Sequence, residues 1–454
     1  FTDPDGVNCR VPAFWAGGLM MIDSVQFPER FTLTARLNLG ANTNTTFQNG
    51  LAYDGSRTDW LGWDNGTRAL PSDVPASGVL VPQSVSSTPE LQQIVDSFSH
   101  TWGFHNQKQL PNMNLQLTIG DSFNFRRGRK FGYVVALNYT RQALTVNGQS
   151  NVYSNYVYDD PSATQSLIEA DYTQTTTDTL LSVLGTATYR YSPRGEIRLV
   201  TMFSQSSTDW TRFQSGLDNN SDVFAFQQWQ LGWVQRSVSF FQLTGEQREI
   251  RLPPGSKLTW SLYGSTGSRY QPDTRQYGAQ RPQGSTDPYI WLGRPNFGDR
   301  WYYDLKQWEF GGFGNYRMPL WDRAAFTLGG QGKYTQRTYS QRDFRFLHGT
   351  EPDDPNAFYS QAPADVFVGA NTGAFGDLPV TFQEFTGATS GYDANQLWLA
   401  GYGMLETPIY GGLRFVGGVR AEAFRQDVLS ENPLDVPAST TPPAFQTNRT
   451  DVNW

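Results

Sequence analysis

From Phe31 to Gly40 the chain reads FTLTARLNLG. Phe31, Leu33, Ala35, Leu37 and Leu39 alternate with Thr32, Thr34, Arg36 and Asn38. A repeat of two places neighbouring side chains on opposite faces of a strand, so this segment has one apolar and one polar face. The pattern recurs along the chain, and long helical periodicity is scarce. In PNMNLQLTIGDSFNF, Met113, Leu115, Leu117, Ile119, Phe123 and Phe125 share a face, while Asn114, Gln116, Thr118, Ser122 and Asn124 take the other. After the basic turn RRGRK, Phe131, Tyr133, Val135, Leu137 and Tyr139 continue the apolar side, which makes a long hairpin.

Four more hairpins follow. Strands near 178–191 and 196–207 meet at SPRG, and those near 226–249 and 257–267 meet at LPPGSK. Strands near 302–317 and 324–341 meet at MPLWDR, and those near 395–406 and 413–427 meet at TPIYGG. Pro and Gly at these junctions suit tight turns. Between the hairpins lie longer connections, at 41–111, 141–177, 208–225, 268–301 and 342–394, rich in Gly, Pro, Asn, Asp, Ser and Gln. One holds a helical segment, STPELQQIVDSF, with Ser87 or Thr88 as its cap and Leu91, Ile94, Val95 and Phe98 on one face.

Short and long connections therefore alternate. In an antiparallel sheet this gathers every short turn at one end and every long loop at the other. A soluble sandwich has no reason to sort its loops by end, and its strands average about five or six residues. Strands of about 10–18 residues are long enough to cross a bilayer, and outer-membrane barrels sort their loops in this way. The expected fold is all-β, an antiparallel transmembrane β-barrel. Its polar set is Arg36, Gln116, Asn138, Arg190, Arg198, Gln331, Lys333, Arg420 and Glu422. These are expected inside, because Arg or Lys facing lipid at mid-depth costs about 2–4 kcal/mol. Glu246 with Arg248, and Arg420 with Glu422, are spaced to pair there.

Composition narrows the alternatives. A mean hydropathy of -0.51 and the lack of a long apolar run exclude transmembrane helices, but not strands that are apolar at alternate positions only. Aromatics make up 15% of the chain, which suits aromatic girdles at two bilayer interfaces. A net charge of -7 disfavours nucleic acid as a partner. A single cysteine, Cys9, excludes an internal disulfide framework and a Cys-rich zinc site. The segment FTDPDGVNCR lacks the features of a signal peptide, and both ends read as cuts through a longer protein.

Several stretches, in order, resemble TonB-dependent outer-membrane receptors. AGGLMMIDSVQFPERFTLTARLNLGANTNTTF resembles the junction between plug and barrel. LAYDGSRTDWLGWDNGTRALP is similar to an aromatic, Gly-rich first loop of one subgroup. DLKQWEFGGFGNYRMPLWDRAAFTLGGQGKYTQRTYSQRDFRF and GYDANQLWLAGYGMLETPIYGGLRFVGGVRAE resemble two barrel hairpins. The resemblance divides the chain into the end of a plug, 1–29, and the first half of a barrel, 30–454. It implies 22 strands in the family, against about eleven counted here, with Val452 and Trp454 opening a twelfth. No TonB box is visible. Half a barrel leaves two unpaired edges, so this polypeptide alone is not expected to insert as a functional receptor.

The resemblance implies import of a scarce bulky ligand, such as a ferric siderophore or oligosaccharide, across the bacterial outer membrane. The partners implied are TonB with its inner-membrane energising complex, and outer-membrane lipids. No enzyme activity and no cofactor are implied. The rival reading is a passive porin, against which the plug-end segment 17–29 argues. An adhesin or secretion barrel lacks its usual repeats here. His100 and His105 are read as solvated loop residues, His348 stands alone, and Asp353 with Asp354 lacks the spacing of a calcium loop. The loop candidates for ligand contact are Trp60, Trp63, Tyr289 and Trp291, whose rings suit sugars or aromatic siderophores, and Arg342, whose charge suits an anionic one.

Overall fold

A computed structural model of the chain describes residues 28–453 apart from 76–87, 155–164, 220–222, 252, 322, 374–376, 388, 411 and 432–444. The plug-end segment as far as residue 27, a cap at Ser87 and a strand start at Trp454 lie outside the described residues. In chain order the strands are β1 (Thr32–Gly40), β2 (Asn49–Ala52), β3 (His105–Lys108), β4 (Asn112–Asn124), β5 (Lys130–Ser154), β6 (Gln165–Ser192), β7 (Gly195–Asp218) and β8 (Phe224–Arg251). Then come β9 (Pro254–Pro282), β10 (Gly298–Pro319), β11 (Ala325–His348), β12 (Val380–Glu384), β13 (Gly391–Tyr410), β14 (Leu413–Glu431) and β15 (Phe445–Asn453). The helices are α1 (Thr88–Ser97), α2 (Pro355–Tyr359) and α3 (Pro363–Val366).

One antiparallel sheet runs β1-β4-β5-β6-β7-β8-β9-β10-β11-β13-β14-β15, with β12 added to the end of β11. β1 and β15 are its edges and do not pair with each other, so the sheet is open. β2 and β3 form a separate ribbon. Most strands outrun their sequence-based bounds. The ladder of β6 begins at Gln165 rather than near 178, and that of β9 ends at Pro282 rather than near 267. Thr and Gln in stretches such as TQTTTDT keep β geometry where both faces are polar, so alternation disappears while hydrogen bonding continues. The expected loop at 208–225 shrinks accordingly to 219–223. Among the described residues the long loops lie within 41–111, 283–297 and 349–390. The short turns all lie at the opposite end. In the first, Arg127 (φ 66) and Gly128 (φ 73) take left-handed conformations and the Phe125 N–H donates to the Arg129 carbonyl at 2.8 Å.

Register makes the two faces explicit. Arg198, Thr244, Ser261, Phe313, Gln331, Ala400 and Glu422 stand side by side across seven strands. One residue along, the neighbouring row is Leu199, Leu243, Leu262, Gly312, Gly332, Leu399 and Ala423. Arg420 belongs to a further row of the polar face, through Tyr402, Gly329, Asn315, Thr259, Glu246, Glu196, Arg190 and Lys130. Arg36 opposes Gln116 on that face, and Gln116 opposes Asn138.

The distribution inverts that of a soluble sheet. On the polar face Thr188, Ser261, Asn315, Glu406 and Glu422 are buried, while on the other Leu199, Leu262, Phe310, Leu399 and Val419 are exposed. Charges on this face are paired, the buried Glu406 and Glu422 among them. Glu406 accepts from Arg317 at 2.5 Å and Arg414 at 2.6 Å, and Arg190 meets Glu196 at 3.2 Å. Glu246 pairs with Arg248, and Arg420 with Glu422, as their spacing suggests. Pro28 sits on the polar face, where the Ser122 hydroxyl donates to its carbonyl at 2.7 Å.

Candidate functional site

Beyond the apolar belt, at the end opposite the short turns, the same face is no longer bare. The three long loops fold over it and build the protein's aromatic core. α1 contributes Leu91, Ile94 and Val95, with Phe98 and Trp102 just after it. The strands contribute Tyr277, Tyr302, Phe344 and Phe346, and the 349–390 loop adds Phe367, with Phe382 on β12. Ring centroids lie 5.3 Å apart for Phe98 and Phe382, 4.9 Å for Trp102 and Phe367, and 4.4 Å for Phe346 and Phe367. Such pairs add about 0.5–1.5 kcal/mol each beyond their buried area.

Ion pairs fasten these loops to the strands. Asp273 sits at an irregularity of β9 with φ 51, where the register to β10 shifts between Trp301 and Tyr303. Its carboxylate accepts from Arg300 Nε at 2.7 Å and Nη2 at 2.6 Å, and from Arg275. The same guanidiniums reach the first loop. Arg300 donates to the Ser99 carbonyl at 3.0 Å and Arg275 donates to that of Thr101. Arg300 also lies 4.7 Å from the ring centre of Phe98. Burial alone would raise the Asp273 carboxyl, but Arg275 and Arg300 outweigh it and hold it below the usual carboxylate range. Two forked pairs repeat the device, Arg345 on Asp299 and Arg342 on Glu384, each with two contacts of 2.8 Å. In the first loop, Arg68 bridges Asp59 at 2.7 Å and Asp64 at 2.9 Å, and stacks 4.6 Å from the Trp233 ring.

The sequence candidates fall into different surroundings. Trp60 is 57% exposed and meets Tyr139 edge-on at 6.5 Å, with the Tyr139 hydroxyl donating to the Trp60 carbonyl at 2.7 Å. Trp63 stacks on Phe203 at 5.9 Å, at the margin of the apolar belt. Tyr289 is half-buried against the core and carries the Arg281 guanidinium 4.4 Å from its ring centre. Trp291 has 0% exposure, lies 4.8 Å from Phe367, and offers no surface to a ligand. Arg342 is held by Glu384 and donates to the Pro75 carbonyl at 2.7 Å. Trp60 and Trp63 thus share one margin, while Tyr289, Trp291 and Arg342 serve the packed loops.

His105 is exposed, 3.9 Å from Asp54. His348 stacks on Tyr359 at 4.1 Å, and burial lowers its pKa. Asp354 is the N-cap of α2 and accepts from the Ala357 N–H at 3.0 Å. Among the described residues no group of three or more His, Cys, Asp or Glu could hold a metal ion. An open groove of about 320 Å³ on the distal strands is lined by Asn147, Gln149, Asp171, Tyr172, Thr173 and Phe213. Thr173 donates to Asn147 at 2.7 Å and Gln149 donates to Asp171 at 3.1 Å across it. Hydrogen-bonding side chains beside aromatic rings suit a polar, ring-bearing ligand.

One buried acid is poorly satisfied. Asp343, beyond the belt, accepts from Gln341 at 2.6 Å through Oδ2, while Oδ1 is buried without a hydrogen bond. Burial pushes it up to about 6, against Gln341 and Arg345 and with Glu384 and Asp299 adding. A raised acid contributes fully below its unfolded value of about 3.9, and that contribution is lost as pH rises through about 6. Asp343→Asn is therefore expected to be the more stable protein by about 2 kcal/mol above pH 7, and no better than wild type near pH 4. Thermal midpoints across that range measure it, and parallel curves would refute it.

No protein-family profile, curated protein or solved structure matches this chain.

Proposed function

We propose that this chain is part of the wall of an outer-membrane β-barrel that imports a scarce, bulky ligand, in the manner of a TonB-dependent receptor. The observation that carries this is the inverted sheet, with a bare apolar belt on one face and paired buried charges on the other. In water that arrangement is unfavourable on both sides, whereas lipid against the belt and a filled lumen against the charges make it favourable. The belt lies beside the short turns, as in barrels whose long loops face outward. The loop-covered end then faces the medium, where its polar groove can take a ligand. Seating of Pro28 on the polar face agrees with a plug leaving through the lumen.

Two measurements test this. In a Cys9→Ser background, Trp60→Cys is expected to react with a membrane-impermeant maleimide on intact cells, and Gly128→Cys only after lysis. The opposite pattern, or recovery in the soluble fraction, would overturn it. Uptake should also stop when the proton-motive force is collapsed. Uptake indifferent to an uncoupler would instead establish the passive channel.

A further inference from the structure

Within the bare belt lies a second groove, also of about 320 Å³, lined by Val183, Thr201, Phe203, Ser239, Phe241 and Phe310, with Gly264 as its floor. Its shape is specified by residue size. A Cβ added at Gly264 would come within 2.5 Å of Phe241 and 2.9 Å of Phe310, so glycine there lets both rings lie against the strand. Small Thr201 and Ser239 keep the adjoining strands low. At the end away from the turns, Trp63 stacks on Phe203, one of the lining rings.

The chemistry changes one rung further along that face. Ser239 and Thr266 border the groove, and the next row is Ser237, whose hydroxyl donates to Gln205 on β7, then Ser268 and Lys306 on β9 and β10. Lys306 is 69% exposed, and its ammonium lies 2.8 Å from Asp304, itself at the surface. A solvated pair of this kind is weak, so the ammonium can exchange partners. An apolar slot thus leads toward the Ser268 hydroxyl and the Lys306 cation.

We propose that this slot binds one acyl chain of an anionic lipid, with the headgroup phosphate on Lys306 and Ser268. This rests on the membrane reading above. Charge at one end and continuity with the belt select a phosphate-bearing lipid over a second protein or a free small molecule.

The test uses the protein extracted from its own membranes, stripped of lipid in detergent, and offered phosphatidylglycerol or phosphatidylcholine before native mass spectrometry. Wild type is expected to retain one phosphatidylglycerol, about fivefold in preference to phosphatidylcholine. Lys306→Gln should abolish the preference, and Ser239→Phe, which fills the slot, should reduce retention of both lipids. Equal retention of the two lipids by wild type, or variants indistinguishable from it, would overturn the proposal. A membrane-extracted protein that retains no lipid overturns the slot alone, whereas a protein absent from the membrane overturns the reading beneath it.

Discussion

Asp273→Asn is expected to destabilise the protein by about 3–5 kcal/mol, the usual consequence of leaving a buried cation without its counter-charge. Two guanidiniums depend on this carboxylate, and both are nearly without solvent contact. The amide keeps the shape and loses the charge, so the effect is electrostatic rather than a cavity. Because Arg300 and Arg275 also hold Ser99 and Thr101, the first loop should open with the triad. Denaturant midpoints measure the stability, and proteolysis after α1 measures the opening. A folded state depressed below the unfolded carboxylate value contributes stability above about pH 3.9 and loses it as pH falls further. Wild type should therefore approach the variant in strong acid. A triple change of Asp273→Leu, Arg275→Met and Arg300→Met should recover part of the loss, since apolar replacement of a whole buried ion cluster is often neutral. Full stability in Asp273→Asn would mean that the triad does not hold the loops.

Leu262→Arg distinguishes the two solvents that could meet the bare face. Leu262 is 57% exposed, in the row Leu199, Leu243, Leu262. If that face meets water, an exposed Leu to Arg change moves stability by less than about 0.5 kcal/mol. If it meets hydrocarbon, the change costs about 2–4 kcal/mol. The larger value is expected, read as loss of folded protein in vesicles under urea. The same substitution at Leu144, exposed on the polar face of distal β5, should be near neutral.

The alternation was legible wherever one face is greasy. Arg36, Arg198 and Arg420 share a side because two-residue spacing leaves no other choice once strand and register are established. The helix face Leu91, Ile94, Val95 and Phe98 was equally plain. The distal halves of β5 to β11 were not, because Thr-, Gln- and Ser-rich strands carry no alternation to read. The ligand candidates show a different limit. Trp60 and Trp291 look alike as loop tryptophans, yet one is open and the other is sealed beneath the 349–390 loop. That difference depends on His348, Tyr359 and Phe367, which reach Trp291 only through the fold. Asp273 likewise carried no local signal. Its role arises from an irregular strand that turns a carboxylate toward arginines on two strands.

The most direct test of the central claim is a nitroxide scan of β7. Single cysteines at 197 to 202, in the Cys9→Ser background, are labelled in the protein's native membrane and relaxed by oxygen, which concentrates in lipid. Oxygen accessibility is expected to be high at 197, 199 and 201, and low at 198, 200 and 202. Uniform wetting of all six positions, or lipid contact at 198 and 200, would contradict it.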